Sequence, residues 1–243
     1  MSDIEVYADA SALARAAAEH FVALSAEAIS QRERFAVALS GGSTPRAAYA
    51  LLAASEFVSR VEWARVHVFW GDERCVPPEH PDSNFRMARE ALLDRVPIPA
   101  GNIYRMRGEA EPALAADEYQ IALRTFFANG QPRFDLILLG MGDDGHTASL
   151  FPGTAAIHEQ VRWAAAQYVE KLRAWRVTLT PVVINAAANV AFVVSGAGKA
   201  ERLKQVLTGP YQPDVLPSQI VRPTHGRLSW LVDSDAAARL KQG

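Results

Sequence analysis

Asp144, Gly145 and His146 stand together in segment 140–147, directly after the apolar run 134–139. A histidine near its unperturbed pKa of ~6.5 accepts a proton from water at neutral pH. A neighbouring carboxylate orients the ring and stabilises its charged form. The pattern suits general-base activation of water, with Asp144 supporting His146 and activity rising through one ionisation near neutrality. His20, His67, His80, His158 and His225 have no comparable carboxylate–glycine setting, and none forms an HxxxH or HxH pair, so no metal site is expected.

A second constellation is suited to anions. Ser40-Gly41-Gly42-Ser43-Thr44-Pro45 reads as a strand end, a turn and a helix start, with Thr44 near the N-cap and Pro45 at the first helical position. Gly41 and Gly42 let the backbone approach a ligand closely, Ser43 and Thr44 supply hydroxyls, and the free N–H groups of the first turn favour phosphate. Lys199 falls in the first turn of a later helix, where a cation opposes the helix dipole by a few tenths to ~1 kcal/mol. Strand alternation puts Arg176 on the same face as Thr178 and Thr180. The chain has four lysines, so few cations are candidates, and Arg176 with Lys199 beside Ser43 and Thr44 suits one phosphate dianion.

Asp72-Glu73-Arg74-Cys75 supplies a third group. Arg74 is expected to stabilise developing oxyanion charge, and Asp72 to accept a hydroxyl or position water. Cys75 reads as a small apolar side chain behind the loop, more than as a thiol nucleophile using His146. Gly140, Gly142 and Gly145 satisfy GxGxxG, yet Asp143 and Asp144 oppose a pyrophosphate there and Phe151-Pro152-Gly153 stops any following helix. No nucleotide cofactor is expected.

These groups need a scaffold that gathers them. Apolar runs at Phe35–Leu39, Val66–Trp70, 134–139 and 190–194 alternate with helical patterns near 11–30, 46–54, 84–94, 112–128 and 199–208. Buried parallel strands covered by helices read this way. The expected class is α/β, a doubly wound, mainly parallel sheet with helices on both faces, in a single domain over 1–243. Each run is followed by glycine and a polar or charged side chain, the edge where open parallel sheets bind ligands. The uncharged stretch 177–198 is broken by Thr178, Thr180, Pro181, Asn185, Asn189 and Ser195, and reads as strand, short helix, strand with no membrane span.

Composition bounds the partners. The chain has 243 residues, 49% hydrophobic and 21% charged, with a net charge of -2. No global positive field is available for nucleic acid or an anionic membrane, so an anion must be held locally. One cysteine excludes an intramolecular disulfide and fits a reducing compartment, the cytoplasm. Residues 1–20, with Asp3, Glu5 and Asp9, do not read as a signal peptide.

Taken together, SGGSTP at 40–45, GDER at 71–74 with DSNFR at 82–86, GMGDDGHTASLFPGT at 140–154, RVTLT at 176–180 and GAGKAERL at 196–203 resemble the 6-phosphogluconolactonase family. The resemblance runs in order from about 35 to 208. It implies cofactor-free hydrolysis of 6-phospho-D-glucono-1,5-lactone in the oxidative pentose phosphate pathway, and the fold shared with glucosamine-6-phosphate deaminases and ribose-5-phosphate isomerases. Carried over, His146 is the base for the attacking water and Asp144 supports it. Gly42, Ser43, Thr44, Arg176 and Lys199 hold the phosphate, with Asp72 and Arg74 at the lactone ring. A deaminase is expected to show Asp-Glu-Tyr where Asp72-Glu73-Arg74 stands, and an acid soon after the histidine, where 148–151 has none. A sugar-phosphate sensor usually carries a DNA-binding segment, and residues 1–34 form at most one strand and one Ala-rich helix. Because no ligand spacing for a metal is present, exhaustive chelation should leave turnover of such a lactone intact. Collapse of activity with recovery on added zinc would contradict this reading.

Overall fold

The computed structural model describes residues 3–128 and 130–240. In chain order the elements are β1 (Asp3–Tyr7), α1 (Ala10–Arg32), β2 (Phe35–Leu39), α2 (Ser43–Leu52), α3 (Ser55–Val58), β3 (Val66–Trp70), β4 (Asp72–Arg74) and α4 (Asn84–Ala91). They continue as α5 (Pro112–Phe126), β5 (Leu136–Leu139), β6 (Ala164–Val169), β7 (Ala174–Leu179), α6 (Pro181–Ile184), β8 (Asn189–Val194), α7 (Ala200–Thr208) and β9 (Arg227–Asp233).

Six strands form a parallel sheet in the order β1-β9-β8-β5-β2-β3. Strands β2 and β5 are buried along their whole length, so both faces of the sheet are covered. This is the doubly wound α/β arrangement. The chain moves outward from β2 to β3, then returns to add β5 on the other side of β2. That reversal places the crevice of an open parallel sheet at the carboxyl ends of β2 and β5. Segments 40–45 and 140–147 leave the sheet there. Among the described residues no helix is long and apolar enough to cross a membrane.

The expected runs Phe35–Leu39 and Val66–Trp70 are strands with those bounds. Three strands differ from the expectation of a single sheet. Asp72–Arg74 and Ala174–Leu179 do not lie at the edge of the parallel sheet but pair antiparallel in a separate one, ordered β4-β7-β6. Gly71 is the junction: its N–H donates to Leu39 O at 2.8 Å, and its carbonyl accepts from Leu179 N at 2.8 Å. One residue thus carries main-chain bonding from one sheet to the other. Side chains of both sheets, such as Val37, Leu139 and Val177, share one hydrophobic core.

Where β2 and β3 end, buried tyrosines take over from the ladder. Tyr49 of α2 accepts from Ser40 N and donates to Ser40 O, both at 3.0 Å. Tyr119 of α5 does the same for Trp70, at 2.8 and 2.9 Å. Burial raises the pKa of both phenols far above the ordinary value, keeping the hydroxyls neutral and able to donate. Removing either hydroxyl leaves a buried N–H and C=O unpaired at the strand end. Tyr49→Phe and Tyr119→Phe should each destabilise the fold by about 1–3 kcal/mol in urea unfolding, since orphaned buried polar groups lose their full solvation. A change near zero would show that the strand ends are satisfied otherwise.

Candidate active site

Asp72, Arg74, His146 and Arg176 line one cleft of about 190 Å³, beside Ser149, Phe151 and Lys171. A larger cavity of about 670 Å³ opens at the amino ends of β1 and β9, near Asp3 and Arg227, away from the loops that carry the candidate chemistry. The smaller cleft is the candidate site because the candidate residues converge there.

The loop after β5 is shaped around its histidine. A Cβ at Gly142 would lie 2.0 Å from both Cε1 and Nδ1 of His146, so only glycine leaves room for the imidazole. Gly145 turns the chain at a φ of +83°, a region that disfavours other residues. No helix follows the GxGxxG spacing, as Phe151-Pro152-Gly153 suggests. His146 Nδ1 meets Asp144 Oδ1 at 2.5 Å, and the same oxygen accepts from His146 N at 3.1 Å. The Phe151 ring stacks on the imidazole at 4.0 Å.

Burial pushes the His146 pKa down to about 4; Asp72 and Asp143 oppose the fall, and Lys199 and Arg74 deepen it. The expectation of an ionisation near neutrality is corrected accordingly, because it took the ring at its solvent-exposed value. The reading of Cys75 as a small apolar side chain agrees with its place against the core, where burial raises the thiol pKa to about 11 and removes the thiolate at neutral pH.

Asp72 is buried and firmly held. Its Oδ2 accepts from Ser149 Oγ at 2.7 Å, and its Oδ1 and backbone carbonyl both accept from Asn84 Nδ2, at 3.3 and 2.9 Å. Next to it, Glu73 accepts from Arg74 N, Asn84 N and Phe85 N, each at 2.7 Å, and from Ser83 Oγ at 3.1 Å. That carboxylate ties β4 to the first turn of α4 and complements its dipole. Arg74 and Arg176 are direct cross-strand partners in the β4–β7 ladder. Like charges so placed repel. Burial first, then Arg74, lowers the Arg176 pKa. Arg74 Nε is buried with no partner among the described residues, while its Nη1 donates to Asp82 O at 2.8 Å. Two cross-strand guanidiniums with spare donors have the chemistry to receive an oxyanion.

Gly41, Gly42, Ser43, Thr44 and Lys199 lie outside the lining of this cleft. Gly42, at a φ of +108°, is the N-cap of α2, so the helix starts at Ser43 and Pro45 is its third residue, not its first. The third N–H of a helix is also unpaired, so the proline still removes no intrahelical bond. A Cβ at Gly41 would come within 2.0 Å of Asn84 Oδ1, which links the glycine loop to Asp72 through Asn84. Lys199 precedes α7, and its ammonium pairs with Asp143. Sequence reasoning did not single out Ser149, Asn84, Phe151 or Lys171 as site residues; DSNFR and SLF stand in the motifs, but the contacts of Asn84, Ser149 and Lys171 join separate segments, and the stacking of Phe151 on His146 follows from the fold of the loop.

A family profile described as glucosamine-6-phosphate isomerases/6-phosphogluconolactonase matches residues 8–230. The chain belongs to this enzyme family. A 6-phosphogluconolactonase of Nostoc sp. is 46% identical over 241 residues, covering 98% of each chain. One from Synechocystis sp. is 44% identical over 219 residues, covering 88% of each. The solved 6-phosphogluconolactonase of Trypanosoma brucei superposes with a TM-score of 0.86 at 31% identity, covering 99% of both chains. A monomeric glucosamine-6-phosphate deaminase superposes with a TM-score of 0.81 over 98% of this chain and 99% of its own, and at 17% identity shares the fold alone.

If the facing guanidiniums bind an oxyanion, inorganic phosphate should raise the thermal midpoint at constant ionic strength, and Arg176→Gln should remove most of that rise. An equal rise in both proteins would move the anion away from Arg176.

Proposed function

We propose that the chain hydrolyses 6-phospho-D-glucono-1,5-lactone to 6-phospho-D-gluconate in the oxidative pentose phosphate pathway, with His146 as general base. The observation that carries this reading is the commitment of Nδ1 to Asp144, in a cleft walled by Arg74 and Arg176. With Nδ1–H donated to the carboxylate, Nε2 is the acceptor. Nε2 takes a proton from water as its oxygen attacks the lactone carbonyl. The carbonyl oxygen gains negative charge beside Arg74. Collapse of the tetrahedral intermediate breaks the bond to the ring oxygen, which leaves with the proton returned by the imidazolium. Water and lactone are the sole reactants, and the open-chain acid is the product.

The phosphate falls to Arg176, Lys199 and the α2 start, with Gly41, Gly42, Ser43 and Thr44. Lys199 has three N–H donors, so it can keep Asp143 and still donate to phosphate. Asp72, with a lone pair left on each oxygen, accepts a ring hydroxyl. A deaminase needs a further acid–base group after the histidine, and 148–151 supplies none. Acid release from the lactone above the spontaneous rate, with no ammonia from glucosamine 6-phosphate, tests the choice; binding of both without turnover would favour a sensor.

His146→Asn should lower kcat by ~10²–10⁴ with KM nearly unchanged, and Asp144→Asn should do less. The imidazole must be unprotonated to act, and its lowered pKa keeps it so well into acid; the wild-type rate should therefore persist below pH 6 and fall toward about 4. That limb should vanish in His146→Asn after the spontaneous rate is subtracted. A corrected rate within about threefold of wild type would move the base elsewhere, Asp72 first.

Lys199→Ala should chiefly raise KM, by roughly 10- to 100-fold for one charge-assisted contact. Unphosphorylated gluconolactone should be a poor substrate for the same reason. Equal efficiency with both lactones would remove these residues from phosphate binding.

A further inference from the structure

Lys171 has no part in the reaction as just described, yet it touches the loop that carries it. It sits in the turn Glu170–Leu172 between β6 and β7, followed by Arg173 at a left-handed φ of 48°. Its ammonium pairs with Asp144 Oδ2, the oxygen that His146 does not use. The same ammonium lies 5.0 Å from the centroid of the Phe151 ring, which stacks on His146. Lys171, Asp144, His146 and Phe151 therefore close a ring of contacts on one wall of the cleft.

We propose that Lys171 is a positioning residue for His146: it holds the Asp144 carboxylate in the orientation that fixes the imidazole and neutralises its charge, so the ring is oriented without being locked in its protonated form. A carboxylate beside an imidazole does two things at once, orienting the ring and favouring imidazolium. A lysine on the second oxygen keeps the first effect and cancels much of the other. The remaining charges facing His146 are Asp72 and Arg74 from β4, Arg176 from β7, Lys199 from the start of α7, and Asp143 from its own loop, the last two paired together. Among the described residues the hydrogen-bonding partners of the Asp144 side chain are His146 and Lys171. The Lys171 side chain is 52% exposed. An exposed pair contributes little to folding, so its effect belongs in the titration of the ring. The kinetic consequence rests on the lactonase reading; the titration does not.

The test is an NMR titration of the histidine rings in the ligand-free full chain, with His146 assigned by its loss in His146→Asn. In Lys171→Gln, His146 should titrate about 1 unit or more higher, and Lys171→Arg should return it toward the wild-type position. In an Asp144→Asn background, Lys171→Gln should leave the titration where Asp144→Asn alone puts it. With lactone, Lys171→Gln should lower kcat by up to about tenfold at neutral pH through misorientation, with KM within about twofold. A raised KM with an unchanged titration would make Lys171 an anion ligand and overturn the proposal. The same upward shift in the Asp144→Asn background would also overturn it, since Lys171 would then act on the ring without Asp144. Normal turnover with no titration change in Lys171→Gln sinks the positioning role alone. The expected titration pattern in a protein that leaves the lactone intact sinks the lactonase reading and keeps the positioning role.

Discussion

The imidazole of His146 occupies the volume where a side chain at residue 142 would be, and the geometry of the site follows from that exclusion. With Gly142 beneath it, Phe151 stacked at 4.0 Å and Asp144 on its Nδ1 edge, the ring has little freedom to rotate. The loop closes on itself to make this fit: Gly142 N donates to His146 O at 2.9 Å, and Gly145 N to Gly142 O at 3.0 Å. An imidazole held this way does not have to be ordered when a ligand arrives, so any step it takes part in is spared that entropy.

The charge around the ring is local. A chain with net charge -2 gathers Arg74, Arg176, Lys171 and Lys199 around His146, against Asp72, Asp143 and Asp144. The two lysines are matched by the adjacent aspartates of the histidine loop, and the two arginines are not matched by each other. The β4–β7 ladder holds the guanidiniums opposite one another through main-chain bonds, which a repulsive pair of surface side chains lacks. The free protein therefore already has the charge distribution that a bound anion would relax.

Much of the parallel sheet was legible because its strands are short apolar runs followed at once by serine or glycine, as in Phe35–Leu39 and Val66–Trp70. The antiparallel sheet was not. Asp72–Arg74 is too short to show alternation and its partner lies far along the chain, and Ala164–Val169, though paired with the next strand, begins with three alanines that favour helix in isolation. The same division runs through the site. His146, Asp144, Asp72, Arg74 and Arg176 belong to compact motifs whose residue types announce their chemistry. Asn84, Ser149 and Lys171 acquire theirs only by contact with Asp72 and Asp144 across long sequence separations. The His146 pKa escaped prediction for a related reason, since burial is a property of the assembled cleft.

Gly71 joins two sheets that divide the work unequally. The parallel sheet ends in the loop with His146, while the antiparallel one brings Arg74, Arg176 and the Lys171 turn to the same cleft. Side chains of the smaller sheet therefore reach the histidine from outside its own loop, and an exchange on β4 is felt at the ring, where Asp72 opposes the fall of the pKa and Arg74 deepens it. Divergence within this fold then has a coupled route: substitutions on β4 and β7 that alter what the cleft holds also retune the imidazole across from them.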